Sequence, residues 1–268
     1  MIKFQNLINK IVKNRLAQKI FWLFMIIAVW EIVSIFEWVP RFFLPRFSAV
    51  IVVLWKDLIT GILLQQIYNS LKMMAIGFII SYLIASLMVF LSLKSKVLAS
   101  FFSTLMTIMN PLPSMALMPL IILWFGILQL AMIILIIHGV VWSTYRYLYD
   151  GLKTIPKIYT DFADNIELNL LQKLVHVIIF ALAPQIIASL RVGWGRAWRT
   201  LISVEILFGM IENIGGVGHY ISSGRLYGKM TQVMSGILVI AIIGIMIESI
   251  VFNIIERKTI RRWGMFND

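Results

Sequence analysis

Apolar runs long enough to cross a lipid bilayer recur along this chain. A helix of about 20 apolar residues spans the hydrocarbon core, and the run from Ile20 to Phe36 is followed by others of similar length. The composition agrees, since 60% of the 268 residues are hydrophobic and 13% are charged, whereas soluble domains are about a quarter charged. The sequence therefore predicts an all-α, polytopic membrane helical bundle in contact with membrane lipids.

Six transmembrane helices are predicted, since six crossings and their loops fit this chain length. The basic segment 1–19 leads into the first apolar run, which ends without a small-residue cleavage site. We interpret it as an uncleaved span and not as a signal peptide. The segment from 49 to about 70 is too polar to span and suits an interfacial helix. The predicted spans of this single domain, residues 1–268, are 20–36, 71–93, 97–125, 130–145, 184–208 and 232–253.

Basic residues are unevenly divided between the two predicted sides of the membrane. The chain has 24 Lys and Arg against 12 Asp and Glu, a net charge of +12. With six spans, fifteen basic residues fall on the side of the two termini and of loops 94–96 and 146–183, and five fall on the other side. The positive-inside rule then predicts cytoplasmic N- and C-termini. Because topology explains the basic surplus, no nucleic-acid partner is expected.

The longest polar loop, 146–183, is the first candidate for function. Its acidic residues precede a helical stretch that begins near Leu170. A polar-faced helical hairpin on the cytoplasmic side suits docking of a soluble partner, and an ordinary connecting loop is an equal alternative. Loops of this length are uncommon in compact proteins unless they are functional. The candidate docking residues are Tyr159, Asp161, Phe162, Ala163, Asp164 and Glu167.

Prolines interrupt the third predicted span at Asn110-Pro111-Leu112-Pro113 and again at Pro119. Proline lacks a backbone N–H and breaks the helical ladder. Carbonyls freed in this way are tolerated at membrane depth only inside protein or beside a water-filled cavity. The segment is therefore predicted to form a gate on the translocation path, with inert irregular packing as the alternative. The residues assigned to the path are Asn110, Pro111, Pro113 and Met115.

Three arginines and a glutamate lie in the fifth predicted span. A charge inside a span is costly and by default faces a cavity or a partner charge. Arg191 is near the cytoplasmic end and is expected to snorkel, whereas Arg196 is deeper and is assigned to the path, together with Glu205. Because Arg196 and Glu205 are about 180° apart around the helix, an acidic partner of Arg196 must lie elsewhere. Glu248 is a candidate.

Five short motifs occur in a fixed order between about residues 43 and 264. They are Leu44-Pro45-Arg46-Phe47-Ser48-Ala49-Val50; Asn110-Pro111-Leu112-Pro113-Ser114-Met115 with Leu123-Trp124-Phe125-Gly126; Gly151-Leu152-Lys153-Thr154-Ile155-Pro156; Gly195-Arg196-Ala197-Trp198 with Glu205; and Gly216-Val217-Gly218. In this order and at these spacings the chain resembles the membrane permease subunit of bacterial ABC importers, in the group that serves nitrate, sulfonates and taurine.

The resemblance implies a type I ABC importer permease fold in which 146–183 is the coupling loop. In such permeases this loop carries Glu-Ala-Ala, three further residues and Gly, and it sits in a groove of the ATPase subunit. The matching positions are Asp161, Phe162 and Ala163, with Glu167 at the glycine position and Phe180 where a proline would stand. Because glycine permits positive φ, Glu167 implies either a different turn or a longer continuous helix.

The resemblance also implies partners. These are two copies of an ABC ATPase subunit, an extracytoplasmic solute-binding protein that meets loops such as 209–228, and a second copy of this chain. No cofactor or metal is expected to bind directly, and ATP and Mg²⁺ would be used by the ATPase.

The chain is not expected to be an enzyme, since it has neither a phosphate-binding Gly-Lys-Ser/Thr loop nor a His-Glu-x-x-His helix. No catalytic residue is assigned. By the resemblance, the function is import of a small anionic solute, such as a sulfonate, taurine or nitrate, by alternating access in the bacterial inner membrane. The alternative is a secondary transporter or channel not coupled to ATP, which predicts inverted repeats and mid-depth acids.

Overall fold

The structure, a computed structural model, describes residues 15–126, 129–208 and 215–262, and these residues form helices and their connections without a strand. The all-α prediction is confirmed. The helices are α1 (Arg15–Ile35), α2 (Phe47–Ile59), α3 (Ile62–Lys94), α4 (Lys96–Met109), α5 (Met118–Phe125), α6 (Gln129–Lys153), α7 (Lys157–Asn165), α8 (Leu170–Lys173), α9 (Ile179–Ala181), α10 (Ala183–Phe208), α11 (Val217–Leu226), α12 (Met230–Met246) and α13 (Phe252–Lys258). Most of the predicted segment 1–19, part of the turn 209–228 and the last six residues lie outside the described ranges.

Shorter turns join some of these helices. A 3₁₀ turn, Ser114–Leu117, precedes α5, and π-helical turns at Leu174–Ile178 and Ile247–Val251 join α8 to α9 and α12 to α13. Such π turns close with one more residue than an α turn and are the usual form of a local insertion in a helix.

Four helical segments of the described chain are long and apolar enough to cross a membrane. They are Ala17–Ile35, Ile62–Lys94, Gln129–Lys153 and Met230–Lys258. Two further pairs meet the same criterion only together, because Lys96–Met109 and Ser114–Phe125 are bent by 91°, and Leu174–Ala181 and Ala183–Leu207 by 61°. If each bent pair is one crossing, the described residues hold six, in agreement with the sequence.

The 91° bend falls on the prolines that the sequence singled out. Helix α4 ends at Met109 with Asn110 as its C-cap. Pro113 is extended, with φ −62° and ψ 129°, and neither it nor Pro111 can donate a backbone hydrogen bond. The chain resumes at Ser114, which is buried and whose Oγ lies 3.3 Å from Nδ1 of His138 on α6. The residue that follows the break is therefore packed against α6, whereas Pro111, Leu112 and Pro113 are exposed.

Two helix boundaries differ from the sequence-based ones. The segment 49–70 is not one interfacial helix: α2 ends at Ile59, Gly61 has φ +80°, and α3 begins at Ile62. Similarly, α6 continues to Lys153, well into the predicted loop 146–183. Hydropathy detects only the apolar part of a helix, whereas the backbone ladder continues until a residue breaks it.

The chain divides into two compact units. The described residues of the first are 15–64 and 220–238, and those of the second are 65–126, 129–208, 215–219 and 239–262. Every candidate site residue belongs to the second unit.

In the first unit, side-chain hydrogen bonds join the helices. Trp30 Nε1 on α1 donates to the carbonyl of Pro45, at 2.9 Å, just before α2. The Tyr220 hydroxyl on α11 donates to the carboxylate of Asp57 on α2. Burial raises the pKa of Tyr220, so this hydroxyl remains protonated at neutral pH and keeps its role as donor.

In the second unit, α6 and α10 pack extensively against each other. Glycines allow the close approach of their neighbours, as expected between membrane helices. A Cβ added at Gly77 on α3 would lie 2.7 Å from Cγ2 of Ile136 on α6. Two buried clusters of this unit are Met118, Ile121, Ala131, Met132, Leu135 and Val204, and Ala85, Met88, Val89, Val141 and Tyr145.

Candidate functional site: translocation path and coupling loop

One face of α10 carries a polar stripe. Its members are spaced i, i+3, i+4 and i+7, which places them on the same side of a helix. All of them line a cavity of about 290 Å³, which we call the loop-distal cavity. The stripe residues are Arg196, Arg199, Thr200 and Ser203.

The opposite wall of the loop-distal cavity comes from the proline break and from α6. Asn110, Pro111, Pro113 and Met115 contribute from the break, and His138 contributes from α6. No acidic side chain is among the described residues that line this cavity. The wall therefore carries the positive charge of two arginines without a neutralising carboxylate.

Arg196 makes its hydrogen bond to an amide. Its Nη1 donates to Oδ1 of Asn110 at 3.0 Å. Among the described residues no ion pair joins Arg196 to an acid, so the candidate partner Glu248 is not in contact with it. Arg191, by contrast, pairs with Glu256 at 2.9 Å.

Arg196 and Asn110 also line a second cavity of about 450 Å³. The rest of its wall includes Arg146, Tyr147 and Thr154, from the part of the chain that leads into α7. We call it the loop-proximal cavity. The hydrogen-bonded side chains of Arg196 and Asn110 are thus part of the wall of both cavities.

Five of the six residues that the sequence assigned to the path line the loop-distal cavity, and Glu205 does not. Glu205 is only 2% exposed. Ser70 Oγ donates to its carboxylate at 2.8 Å, and the backbone N–H of Gly218 donates to its Oε2 at 2.9 Å. A separate cavity of about 220 Å³ borders Glu205 and Lys72.

The Glu205 carboxylate caps the start of α11 from another helix. The N–H groups of a first helical turn have no partner within the helix, and Gly218 finds its acceptor in Glu205 while Val217 donates to Ser70 Oγ at 2.9 Å. Gly216, with φ +124°, lies so close to this carboxylate that a Cβ there would collide with it. The sequence contained Glu205 and the glycines but no signal that would pair them with Ser70.

The predicted coupling loop forms a helical hairpin that exposes apolar side chains. On α7 the side chain of Ala163 is fully buried, whereas Tyr159 and Phe162 are exposed, Phe162 to 60%. Asp161 and Asp164 are exposed on the same helix. An exposed aromatic and acidic helix of this kind can bind a soluble partner.

The end of α7 follows neither of the two expectations for Glu167, a different turn or a longer continuous helix. The N–H of Leu168 donates to the carbonyl of Ala163 and that of Glu167 to the carbonyl of Asp164, both at 3.0 Å. These bonds define a Schellman motif, whose C′ residue is left-handed. Glu167 has φ +53°, so the continuous helix is wrong and the turn with positive φ is present without glycine.

The second half of the hairpin is fixed by two polar contacts. Asn169 Oδ1 accepts from the N–H of Gln172 at 2.9 Å, and Gln172 Oε1 accepts from the N–H of Asn169 at 3.1 Å, a reciprocal helix cap. Lys173 Nζ lies 2.8 Å from Oδ1 of Asp164, which ties this half to α7. Phe180, at the family's proline position, lies in helix α9.

A comparison with known protein families identifies the family of this chain. Residues 77–264, well over half of the chain, match the family described as the binding-protein-dependent transport system inner membrane component. The chain belongs to this family. The permease is therefore a multi-pass inner-membrane component of a transport system, and its helical fold is that of a type I permease.

Named relatives indicate which group within this family the permease resembles. The permease is 27% identical to a putative aliphatic sulfonates transport permease of Bacillus subtilis over 238 residues, which cover 88% of this chain and 84% of that protein. It is 30% identical to the taurine transport system permease of Escherichia coli over 139 residues, 52% of this chain and 49% of that protein. It is 23% identical to a nitrate import permease of Leptolyngbya laminosa, over 73% of this chain and 68% of that protein.

These findings confirm that the permease is an ABC importer subunit of the nitrate, sulfonate and taurine type. They support ATP-driven import over the secondary transporter or channel. The family also implies a binding protein and an ATPase as partners. As a transport subunit, the permease is not itself the enzyme of the system.

Sequence reasoning missed several residues of the loop-distal cavity. Thr200 and Ser203 follow Arg196 at helical spacing, as does Arg199, one of the three arginines that the sequence singled out, and this period was visible in the sequence. Ser114 and His138 carried no such signal, because they lie 24 positions apart and meet only through the packing of the proline break on α6.

Proposed function

We propose that the permease forms the membrane path for a small oxyanion, such as a sulfonate, taurine or nitrate. The observation that carries this proposal is the loop-distal cavity, into which α10 presents Arg196 and Arg199 without any lining carboxylate. Unpaired charges within a membrane domain mark a substrate pathway by default. Guanidinium groups bind planar or tetrahedral oxyanions through two parallel hydrogen bonds. The names of the relatives, which include sulfonate, taurine and nitrate permeases, support the same class of solute.

Energy would come from two copies of a separate ATPase subunit, which uses ATP and Mg²⁺. We assign α7, Lys157–Asn165, as the helix that each copy binds, because it exposes Tyr159, Asp161 and Phe162 while Ala163 anchors it to the rest of the hairpin. A second copy of the permease would complete the path. An extracytoplasmic binding protein would deliver the solute to the opposite face, with both termini in the cytoplasm.

The helix order supplies a mechanical link from α7 to the path. Only residues 154–156 separate the end of α6 from the start of α7. Helix α6 in turn packs along α10, and both helices line the loop-distal cavity. A rigid displacement of α7 by the ATPase would therefore move α6 against α10 and alternate the access of the cavities to the two sides.

Uptake by an Arg196→Ala variant tests the path. In cells that express the complete transport system, we expect uptake of labelled taurine or methanesulfonate to fall at least tenfold, because the cavity loses its deepest positive charge. Arg257→Ala, an exposed arginine near the C-terminus, is the matched control and should transport normally. Transport at the normal rate by Arg196→Ala would show that the assignment is wrong.

Copurification with the ATPase tests the docking helix. Truncation of a central aromatic at an interface costs about 2 kcal/mol or more, so Phe162→Ala should lower the recovered ATPase at least tenfold after mild detergent extraction. Phe101→Ala removes an exposed aromatic of α4 and should leave recovery unchanged. Undiminished recovery with Phe162→Ala would exclude α7 as the main docking site.

A further inference from the structure

The loop-distal and loop-proximal cavities share two lining residues, Asn110 and Arg196, and no others among the described residues. These two side chains are hydrogen-bonded to each other at 3.0 Å. They belong to different elements, since Asn110 caps α4 at the proline break and Arg196 lies in α10. The contact therefore forms part of the wall that the two cavities have in common.

We propose that the Arg196–Asn110 contact is a gate between the two cavities and that the transported oxyanion itself opens it. The proposal rests on the proposed function, namely that the solute is an anion. In the closed state the Asn110 amide holds the guanidinium across the junction. In the open state the anion replaces Asn110 as the partner of Arg196.

The exchange of partners follows from the strength of the two contacts. An amide oxygen is a neutral acceptor, and among the described residues Arg196 makes no ion pair. The acid that lines the loop-proximal cavity with Arg196 is Asp150, which lies 3.6 Å from Arg146 instead. The bond to Asn110 has one ionised partner, whereas a bond to an oxyanion has two and adds the attraction between two full charges. An oxyanion can also accept two parallel hydrogen bonds from one guanidinium. An oxyanion therefore displaces the amide, whereas a neutral solute does not.

The loop-distal cavity is built to bring an anion to this junction. Arg199 follows Arg196 by about one helical turn and lines the same wall. Ser114 and Thr200 add hydroxyl donors, and His138 has its Nε2 buried without a hydrogen-bond partner. The volume of about 290 Å³ holds several waters at about 30 Å³ each and is large enough for nitrate or a short sulfonate.

Asn110 is the partner that moves. Its backbone N–H is bonded to the carbonyl of Met106 at 2.9 Å, but the residues that follow are the prolines of the 91° break. A change in the angle of this break displaces Asn110 without breaking a helix interior, because the hydrogen-bond ladder already ends there. Arg196, in contrast, lies in the middle of a 26-residue helix. The gate thus pairs a fixed cation with an amide on a hinge.

Opposite substitutions at position 110 test the gate. Asn110→Asp places a carboxylate beside Arg196 that competes with the solute, so KM for uptake should rise at least tenfold while ATP hydrolysis without solute stays low. Asn110→Ala removes the partner, so ATP hydrolysis without solute should rise severalfold while KM stays unchanged or falls. Uptake is measured in cells with the complete system, using labelled taurine, methanesulfonate and nitrate. Hydrolysis is measured on the purified complex in proteoliposomes.

Arg257→Gln is the matched control, because Arg257 is exposed and lines neither cavity. It should change neither KM nor hydrolysis in the absence of solute. Copurification of the ATPase with each variant checks assembly. If Asn110→Asp and Asn110→Ala change KM in the same direction and by the same factor, the contact is packing and the gate is wrong. If the wild-type system takes up none of the three anions, the proposed function fails first, and the gate fails with it.

Discussion

At the scale of single residues, two glutamates occupy positions that are usually unfavourable for this side chain, one with positive φ and one buried. Glu167 has φ +53°, a conformation that costs a residue with a Cβ about 1 kcal/mol relative to glycine. Glu205 is buried inside a membrane protein, where a carboxylate without partners is expensive. Glu167 is held by the two hydrogen bonds of the Schellman motif, and Glu205 by donors from Ser70 and Gly218.

Replacement of Glu167 by glycine should stabilise the end of α7. Glycine relieves the strain at positive φ, so the turn should gain about 1 kcal/mol, equivalent to about fivefold slower opening. Hydrogen exchange at the amide of Leu168, which donates across the motif, measures this. Glu167→Ala keeps a Cβ and should show no slowing. Equal slowing in both variants would mean that strain at φ is not the cause.

Loss of the Glu205 carboxylate should destabilise the start of α11. Glu205→Ala leaves the Ser70 hydroxyl and the Gly218 N–H without their acceptor, at about 1–3 kcal/mol for each buried unpaired group. We therefore expect a clear fall in the thermal unfolding temperature of the purified permease. Glu205→Gln keeps one oxygen acceptor and the same shape, and should lose less than half as much. An unchanged unfolding temperature in Glu205→Ala would contradict the capping role.

At the scale of the elements, glycine sets how closely helices pack. The second unit brings α3 against α6 at Gly77, where Ile136 fills the space that a Cβ would need. Membrane helices gain little from apolar burial alone, so close contact between backbones is a main source of stability. Gly244 on α12 has no neighbouring atom within 4 Å of the position that a Cβ would occupy. No close helix contact therefore depends on glycine at this position.

These two glycines form a matched pair for experiment. Gly77→Ala should destabilise the permease by about 1–3 kcal/mol, the usual cost of overpacking. Gly244→Ala should be neutral or stabilising by up to about 1 kcal/mol, because alanine is the better helix former. Thermal unfolding of both variants in the same detergent measures the difference. Equal shifts would show that helix propensity alone decides the outcome at both positions.

At the scale of the whole molecule, orientation in the membrane remains a prediction from the unequal distribution of Lys and Arg. The native chain has no cysteine, so a single introduced cysteine reports the side on which it lies. Asp161 is exposed on α7 and Arg225 is exposed near the end of α11, and the predicted topology puts them on opposite sides.

Labelling with a membrane-impermeant maleimide tests this orientation. In intact cells stripped of the outer membrane, Arg225→Cys should react and Asp161→Cys should not. In inverted vesicles the reactivity should reverse. Reaction of Asp161→Cys from the outside would overturn the cytoplasmic position of the coupling loop and, with it, the proposed docking of the ATPase.

Much of the fold could be predicted from local sequence. The apolar runs, the proline break and the helical hairpin of residues 146–183 each depend on residues close in the chain, and each has a counterpart in the structure. Helix ends were less predictable, as at Ile62 and Lys153, because hydropathy does not register polar helical turns. For the site, the periodicity along α10 indicates which residues share one face of the helix. The partner of Arg196 could not be predicted, since Asn110 lies 86 positions away in the sequence.

The sequence by itself determined that this chain is a membrane permease, because hydropathy and short ordered motifs are properties of neighbouring residues, and it predicted a charged path helix and an acidic hairpin in the cytoplasm. Only the tertiary structure decided that Asn110 meets Arg196 and that Glu205 accepts hydrogen bonds from Ser70 and Gly218 at the start of α11. Both outcomes depend on which helix faces meet. That is set by packing among distant segments, which no local pattern records.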